Sequence, residues 1–177
     1  METVGVELSP ERMRNLNRNL CLRLSSDQFR LPQSGESEPS FTRKVISGSI
    51  FRELENHPNL HLKYRGDGGN ELAFPAAALD IQFFPDMAVS LGTQHIWAAE
   101  VKLLRSSNRQ AALAAAIGQA TLYRIRYDYV VVMLVDLEPA SLESRVHLAE
   151  LGKQLELNFV IRHRVGNVLA ASDHRGS

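Results

Sequence analysis

Residues 83–104 read FFPDMAVSLGTQHIWAAEVKLL. Two largely apolar stretches flank Gly92-Thr93, and a glycine-containing pair between such stretches is typical of a hairpin turn. The pattern predicts two strands, Leu79–Leu91 and His95–Leu104. Residues on either side of a hairpin turn become cross-strand neighbours, so we expect the charged residues of these two strands to lie close together.

Two acids and a lysine stand out within these apolar strands: Asp86, Glu100 and Lys102. Charged residues are depleted in strands and costly to bury, so a structural or functional role is expected for each of these three. Side chains alternate along a strand, which places Glu100 and Lys102 on one face and Val101 on the other. Thirteen residues separate Asp86 from Glu100. A hairpin of that length can place the two carboxylates side by side.

This set of groups suits a hard divalent cation. Mg²⁺ prefers oxygen ligands and keeps several waters, so the carboxylates of Asp86 and Glu100 with the Val101 carbonyl would suffice to hold it. A bound ion lowers the pKa of its water and offsets charge on a phosphate. Lys102 can orient that water, help to deprotonate it, or hold the phosphate as a point charge. The pattern therefore favours hydrolysis of a phosphodiester.

The surrounding sequence predicts an α/β domain. The predicted helices are Pro10–Leu24, Phe41–His57, a segment from Ser107 to about Tyr127 and a segment from Ser141 to about Gly152; the other predicted strands are Leu60–Tyr64, Tyr129–Val135 and Leu157–Arg164. Ser107 is expected to form a capping box with Gln110. The order α-β-β-β-α-β-α-β, preceded by an N-terminal helical arm, implies a mixed central sheet flanked by helices on both faces.

Composition excludes several classes of protein. The chain has 177 residues, 44% hydrophobic and 23% charged, with 20 basic and 20 acidic residues, so it is globular and not a polycation. Its single cysteine, Cys21, excludes an internal disulfide framework, a cysteine-rich zinc site and a four-cysteine iron–sulfur cluster. The chain shows no bilayer-spanning apolar run and no signal peptide, so we expect a cytoplasmic protein without a membrane partner. We expect an arm and linker over 1–40, a core domain over 41–170 and a tail over 171–177.

The Pro85-Asp86 pair, followed by Glu100-Val101-Lys102, resembles the signature of the PD-(D/E)XK nuclease superfamily. The αβββαβ order over roughly Phe41–Val135 resembles the restriction-endonuclease-like core of that superfamily. Gln119-Ala-Thr-Leu-Tyr123 resembles the Gln-x-x-x-Tyr element of its RecB-like branch. The resemblance implies a metal-dependent deoxyribonuclease that uses Mg²⁺, for which Mn²⁺ can substitute. It also implies that Gln119 supports the metal site and that Tyr123 contacts the nucleic acid.

Further candidates are assigned around this constellation. The family often adds an acid from the first core helix, and Glu53 lies beside the apolar stripe there, so we choose it as a further metal ligand. Asp80 competes with Asp86 for the metal role, although no proline precedes it. The expected phosphate contacts are Arg105, Arg109 and Arg124.

Other interpretations stay open. Glu100 and Lys102 could form an ion pair at a strand end, and Tyr123 could be a packing residue. The arginines could be solvated surface charges. A catalytically inactive nuclease-like domain would bind nucleic acid or serve as a subunit of a larger complex. The N-terminal arm could contact phosphates or could equally form a homodimer, because nucleases of this fold that cut duplexes commonly pair two sites. A small-molecule binding domain is the third reading, although the chain has no glycine-rich phosphate loop.

Overall fold

The structure is a computed structural model that describes residues 7–26, 30–33, 35–64, 76–78, 81–137, 143–163 and 168–170. Its helices are α1 (Pro10–Ser25), α2 (Glu38–Phe41), a π-helical turn (Thr42–Ile46), α3 (Ser47–Leu54), α4 (Arg109–Tyr123) and α5 (Glu143–Leu155). Its strands are β1 (His61–Tyr64), β2 (Ala76–Ala78), β3 (Ile81–Phe83), β4 (Met87–Leu91), β5 (Gln94–Leu104), β6 (Tyr129–Asp136), β7 (Asn158–His163) and β8 (Val168–Ala170).

Six of these strands form one mixed sheet in the order β1-β4-β5-β6-β7-β8, and β2 pairs separately with β3. β1, β4 and β5 are antiparallel neighbours, β5, β6 and β7 run parallel, and β8 returns antiparallel to β7. Parallel neighbours need crossover connections, and α4 and α5 supply them. The predicted mixed α/β sheet is therefore confirmed.

Helices cover both faces of the sheet. One face packs Leu20 of α1 and Ile50 of α3 against Val101 of β5. The opposite face packs Ala116 of α4 against Val132 of β6, with partly buried leucines of α5 alongside. All eight residues of β6 are buried because this central strand is covered on both sides. No helix in the described part of the chain has the length and apolar composition needed to cross a bilayer.

The expected boundary at residue 40 falls within one packed unit. Leu16, Leu20 and Leu24 of α1 belong to the same apolar cluster as the sheet. The helical run that begins at Glu38 continues through residue 41 to Leu54. Helix α1, which lies in the expected arm, thus contributes directly to the core, while the expected tail over 171–177 lies outside the described residues.

The first hairpin strand is shorter than the sequence predicts. The single strand expected over 79–91 is divided into β3 and β4, with Pro85 between them. Proline has no N–H to donate to a ladder, so it ends pairing on that side. β4 then pairs with β5 through Met87↔Ala99, and Gly92 adopts a φ of 57° at the first position of the turn. That left-handed conformation suits glycine, which confirms the predicted turn.

The helix after the hairpin begins and ends inside its predicted bounds. α4 starts at Arg109, and the predicted capping box at Ser107 is wrong because Asn108 is the N-cap residue. The Asn108 side chain instead accepts the backbone N–H of Arg105 at 2.9 Å, which closes a tight turn before the helix. Residues 124–126 form a turn that ends α4 at Tyr123. The predicted cap at Ser141 lies outside the described residues.

Candidate active site

The end of β5 extends beyond its neighbour β4. β4 begins at Met87, opposite Ala99, so the later residues of β5 have no β4 partner on that side. Two carboxylates take the backbone N–H groups that this overhang leaves: Asp86 Oδ2 accepts from Val101 at 2.8 Å, and Glu38 Oε2 accepts from Leu103 at 3.1 Å. A buried N–H group without an acceptor is energetically costly, so acidic side chains at this edge stabilise the fold by accepting these hydrogen bonds.

Glu100 lies on the α4 side of β5 and is 2% exposed. Its Oε1 is 2.7 Å from Lys102 Nζ. Its Oε2 lies 3.0 Å from the Tyr123 hydroxyl, which is also 2.9 Å from the Phe84 carbonyl oxygen. A hydroxyl has one proton, so Tyr123 donates to one of these acceptors at a time. The carboxylate is therefore fixed by side chains from β5 and α4.

The Asp86 and Glu100 carboxylates are close enough to influence each other. Extending the β4–β5 register by one pair places Asp86 opposite Glu100, as the hairpin spacing predicts. Burial, followed by the negative charge of Asp86, raises the pKa of Glu100 from 4.5 to about 7. The Lys102 charge and the hydrogen bonds from Lys102 and Tyr123 act in the opposite direction. Two buried acids thus share one neighbouring ammonium.

Lys102 lies between two carboxylates. Its Nζ is 2.9 Å from Glu38 Oε1 as well as 2.7 Å from Glu100 Oε1. Burial lowers the pKa of Lys102, but the charges and hydrogen bonds of Glu100 and Glu38, with the charge of Asp86, outweigh burial and raise it. Lys102 is therefore a cation at neutral pH in this arrangement, which favours a role in holding negative charge over a role as a base.

The donor set fits a hard cation in its chemistry. Glu38, Asp86 and Glu100 bring three formal negative charges to one positive charge on Lys102. The N–H and C=O of one strand residue point to the same side, so the Val101 carbonyl faces the edge where its N–H meets Asp86. No group of three or more His, Cys, Asp and Glu side chains in the described residues is arranged to hold a metal. The fit therefore rests on two carboxylates and a carbonyl, with water completing the coordination.

Glu53 and Gln119 were predicted to assist this site. The Glu53 carboxylate lies 2.7 Å from Arg23 Nε, which ties α3 to α1. Among the residues that the structure describes, Arg23 is the hydrogen-bonding and ion-pair partner of the Glu53 carboxylate. Gln119 lies one turn before Tyr123 on α4 and is partly exposed. Its side chain makes no hydrogen bond with any residue that the structure describes.

The residues predicted to contact nucleic acid have internal partners. Tyr123 is fully buried, so its ring faces the core and its hydroxyl reaches Glu100. The arginines are partly exposed. Their partners include the Glu36 carbonyl for Arg105 at 3.1 Å, the Asp136 carboxylate for Arg109 at 2.6 Å, and Glu156 for Arg124 at 2.6 Å.

Glu38 is the site residue that the sequence reasoning missed. The sequence predicts a linker at Glu38, whereas the structure has it in the first turn of a helix. The signal was present in the sequence: Ser37 is the N-cap, its hydroxyl accepts the Ser40 N–H, and Pro39 follows within the first helical turn. Serine followed shortly by proline and an acid is a helix-start pattern.

Three comparisons with known proteins were made, and none gave a match: no protein-family model, no curated protein and no solved structure matches this chain. The geometry at the end of β5 therefore carries the functional argument.

Proposed function

We propose that this protein is a Mg²⁺-dependent nuclease that hydrolyses DNA phosphodiester bonds with a metal-activated water. In this proposal the α/β domain is a restriction-endonuclease-like member of the PD-(D/E)XK superfamily, with a RecB-like Gln-x-x-x-Tyr element. One observation carries the proposal: the buried Glu100 carboxylate lies beside Asp86 and is ion-paired with Lys102 at 2.7 Å. Buried carboxylates whose pKa is raised by desolvation and by a neighbouring acid are frequent at catalytic sites.

Asp86, Glu100 and the Val101 carbonyl would hold the metal. Mg²⁺ bound there would lower the pKa of a coordinated water and offset charge on the phosphate during hydrolysis. Mn²⁺ shares the preference for carboxylate and carbonyl oxygens, so it would serve as a substitute. Glu53 would stand outside this set while it remains paired with Arg23.

The remaining residues would position these groups and bind the phosphate. The Lys102 ammonium supplies positive charge for a phosphate oxygen, and Glu38 fixes its direction through the 2.9 Å ion pair. Tyr123 fixes the Glu100 carboxylate through its hydroxyl. Gln119, one turn earlier on α4, can donate from its side-chain amide to the substrate strand or to a water.

The arginines could still contact phosphates. A guanidinium carries five N–H donors, and Arg109 uses two of them in its bidentate pair with Asp136. Arg105 and Arg124 likewise keep part of their side chains accessible. Contacts of Arg105, Arg109 and Arg124 with DNA thus remain predictions that follow from the proposal.

The test is cleavage of plasmid and single-stranded DNA with Mg²⁺ or Mn²⁺. We expect wild type to cleave, and Lys102→Ala, Asp86→Ala and Glu100→Gln to lose at least about a hundredfold in rate. Matched controls are the exposed Lys153→Ala and Glu55→Ala, which remove the same charges elsewhere. Equal cleavage by wild type, Lys102→Ala and Asp86→Ala would remove the catalytic assignment.

A second candidate is a catalytically inactive nuclease-like domain that binds nucleic acid or acts as a structural subunit. It is favoured by the way Asp86 and Glu38 each accept a backbone N–H of β5, because that role needs no metal. Isothermal calorimetry with Mg²⁺ and Mn²⁺ separates the candidates. Heat of binding that disappears in Glu100→Gln supports the nuclease, whereas no binding sensitive to that substitution supports the second candidate.

A further inference from the structure

A strap of chain lies against the end of β5, just before α2. We define the strap as the described residues between 30 and 37, which lead into Glu38 at the start of α2. The Arg30 guanidinium holds the Glu36 carboxylate through two bonds of 2.7 and 2.9 Å, and the Gln33 N–H donates to the same carboxylate at 3.1 Å. These bonds join the two ends of the strap, so its shape is set by its own contacts.

The strap is attached to β5 through groups that bind anions. Glu38 Oε1 lies 2.9 Å from Lys102 Nζ, and Glu38 Oε2 accepts the Leu103 N–H at 3.1 Å. Further along the chain, Arg105 Nη2 donates to the Glu36 carbonyl oxygen at 3.1 Å. Lys102 and Arg105 are also cations proposed to hold phosphates of the substrate. In the resting protein both of them are therefore engaged by the strap and the start of α2.

The Glu38 carboxylate is held in the way that a phosphate group is held in proteins. An ammonium and a backbone N–H meet the two oxygens of one anionic group, and both are common donors to phosphates. Leu103 is 4% exposed, so its N–H needs an acceptor in every state of the protein. A ligand that replaces Glu38 must therefore supply two oxygens on one anion, as a phosphodiester does with its two non-bridging oxygens.

Glu38 can leave this position more easily than the acid beside it. Its side chain is 29% exposed, and its hydrogen-bonding partners among the described residues are Lys102 and Leu103. Partly exposed ion pairs contribute little to stability, and a released Glu38 would stay in the first turn of a helix, where negative charge is favourable. Asp86, which accepts the N–H of Val101, is buried at 7% exposure.

We propose that Lys102 Nζ and the Leu103 N–H form a phosphate-binding cradle, which Glu38 closes in the resting protein and which a phosphodiester of DNA opens by displacing Glu38. The ion pair that directs Lys102 before substrate binds thus also makes the site autoinhibited. This role of Glu38 rests on the proposed nuclease, because the phosphate is taken to be that of the DNA strand, and it adds an internal competitor for that strand.

Binding is measured by fluorescence anisotropy with the full chain, a labelled single-stranded DNA oligonucleotide and EDTA, so that cleavage does not interfere. We expect Glu38→Gln to bind about three- to thirtyfold more tightly than wild type, because the amide can still accept the Leu103 N–H but no longer attracts Lys102. Glu38→Asp keeps the charge but is too short to reach both donors, so it should also bind more tightly, by at least about twofold. Glu55→Gln, which removes an exposed acid elsewhere, is the matched control and should bind like wild type.

The two donors of the cradle are tested separately. In a Lys102→Ala background, the gain from Glu38→Gln should fall to within about twofold, because the cation for which Glu38 competes is gone. An NMR titration of isotope-labelled protein with inorganic phosphate follows the Leu103 amide resonance. Its shift should reach saturation at about three- to thirtyfold less phosphate in Glu38→Gln than in wild type. Circular dichroism of each variant confirms that it is folded.

This role of Glu38 is overturned if Glu38→Gln binds the oligonucleotide no more tightly than wild type, which is the result expected of an acid that only supports the strand or holds a metal. It is also overturned if Glu38→Asp binds like wild type, because a general effect of charge would then explain Glu38→Gln. An undiminished gain in the Lys102→Ala background, or a Leu103 amide that does not respond to phosphate, would likewise remove the cradle.

Failure of this role and failure of the nuclease are distinguishable, because the binding measurements need neither metal nor cleavage. Tighter binding by both Glu38 variants, with the gain lost in Lys102→Ala and no cleavage by wild type in Mg²⁺, would uphold the cradle and remove the nuclease. Cleavage by wild type together with unchanged binding by both Glu38 variants would remove the cradle alone.

Discussion

Replacing Glu100 by glutamine should make the metal-free protein more stable at alkaline pH. Burial and the neighbouring Asp86 raise the pKa of Glu100 to about 7, so its ionised form is disfavoured in the folded chain. Glutamine has the shape of the protonated acid and can still accept from Lys102. A cost in stability at Glu100 is what its proposed catalytic role predicts, because activity and stability often conflict.

The direction and the size of this change in the free energy of unfolding follow from the linkage between proton binding and folding. The folded pKa lies above the ordinary value of 4.5, so the folded chain holds this proton more tightly than the unfolded chain does. The contribution of protonated Glu100 to the stability of the fold is fully present below pH 4.5 and is lost as the pH rises through 7. At about 1.4 kcal/mol per tenfold change, the loss is on the order of 3 kcal/mol at pH 8 and under about 1 kcal/mol at pH 5. Glutamine at position 100 does not ionise, so the Glu100→Gln variant does not lose this stability as the pH rises.

Urea titration and thermal melts in EDTA at pH 5 and pH 8 measure the difference. We expect the Glu100→Gln variant to melt about 5–10 °C above wild type at pH 8 and within about 3 °C at pH 5. The control is Glu53→Gln, which loses an ion pair between partly exposed groups and should cost up to about 1 kcal/mol at both pH values. A Glu100→Gln variant less stable than wild type at pH 8, or an unchanged difference between the two pH values, would refute the reasoning.

Three further outcomes are expected. Tyr123→Phe removes a buried hydrogen bond to Glu100 and should cost about 1–2 kcal/mol in urea titration; a variant as stable as wild type would contradict the contact. Burial raises the pKa of Cys21 to about 12, so a thiol reagent at pH 8 should label it slowly in the folded protein and rapidly in guanidinium. Arg109→Ala leaves the buried Asp136 carboxylate without its bidentate partner and should cost about 3–5 kcal/mol; adding Asp136→Asn should recover part of that loss, and no recovery would contradict the assignment.

The parts of the fold that could be predicted are those with local signals. β6 is an apolar run rich in valine, which is typical of a strand covered on both faces, and the predicted strand Tyr129–Val135 differs from β6 by one residue. The turn at Gly92 requires a positive φ, which glycine adopts readily, so the position of this glycine predicts the pairing of β4 with β5. Side-chain alternation then placed Glu100 and Lys102 on one face, where they form an ion pair.

The other features of the fold and the site depend on which helices and strands pack together, and the periodicity of the sequence does not contain that information. Ile81–Phe83 reads as part of the hairpin strand but pairs with β2 in a separate sheet, because Pro85 interrupts the ladder between them. Glu38 is 64 residues from Lys102 in the chain. Its approach requires both the helix start at Ser37 and the overhang of β5, and neither is visible in the Glu-x-Lys pattern. The position of Glu53 beside an apolar stripe describes one helix and does not reveal that Arg23 of α1 is its neighbour.

The three acids at this edge are not equivalent as evidence for function. Asp86 and Glu38 each satisfy a backbone N–H at the overhang of β5, so a fold without any activity could retain them. Glu100 contacts the side chains of Lys102 and Tyr123 and, within the described ranges, accepts no backbone N–H, although it is buried. Removing Asp86 would therefore lose a strand contact together with any metal ligand, whereas Glu100→Gln keeps the shape of the side chain and removes its negative charge and one acceptor oxygen. Loss of metal binding and cleavage in a variant that melts higher than wild type is therefore attributed to the Glu100 carboxylate and not to damage to the fold.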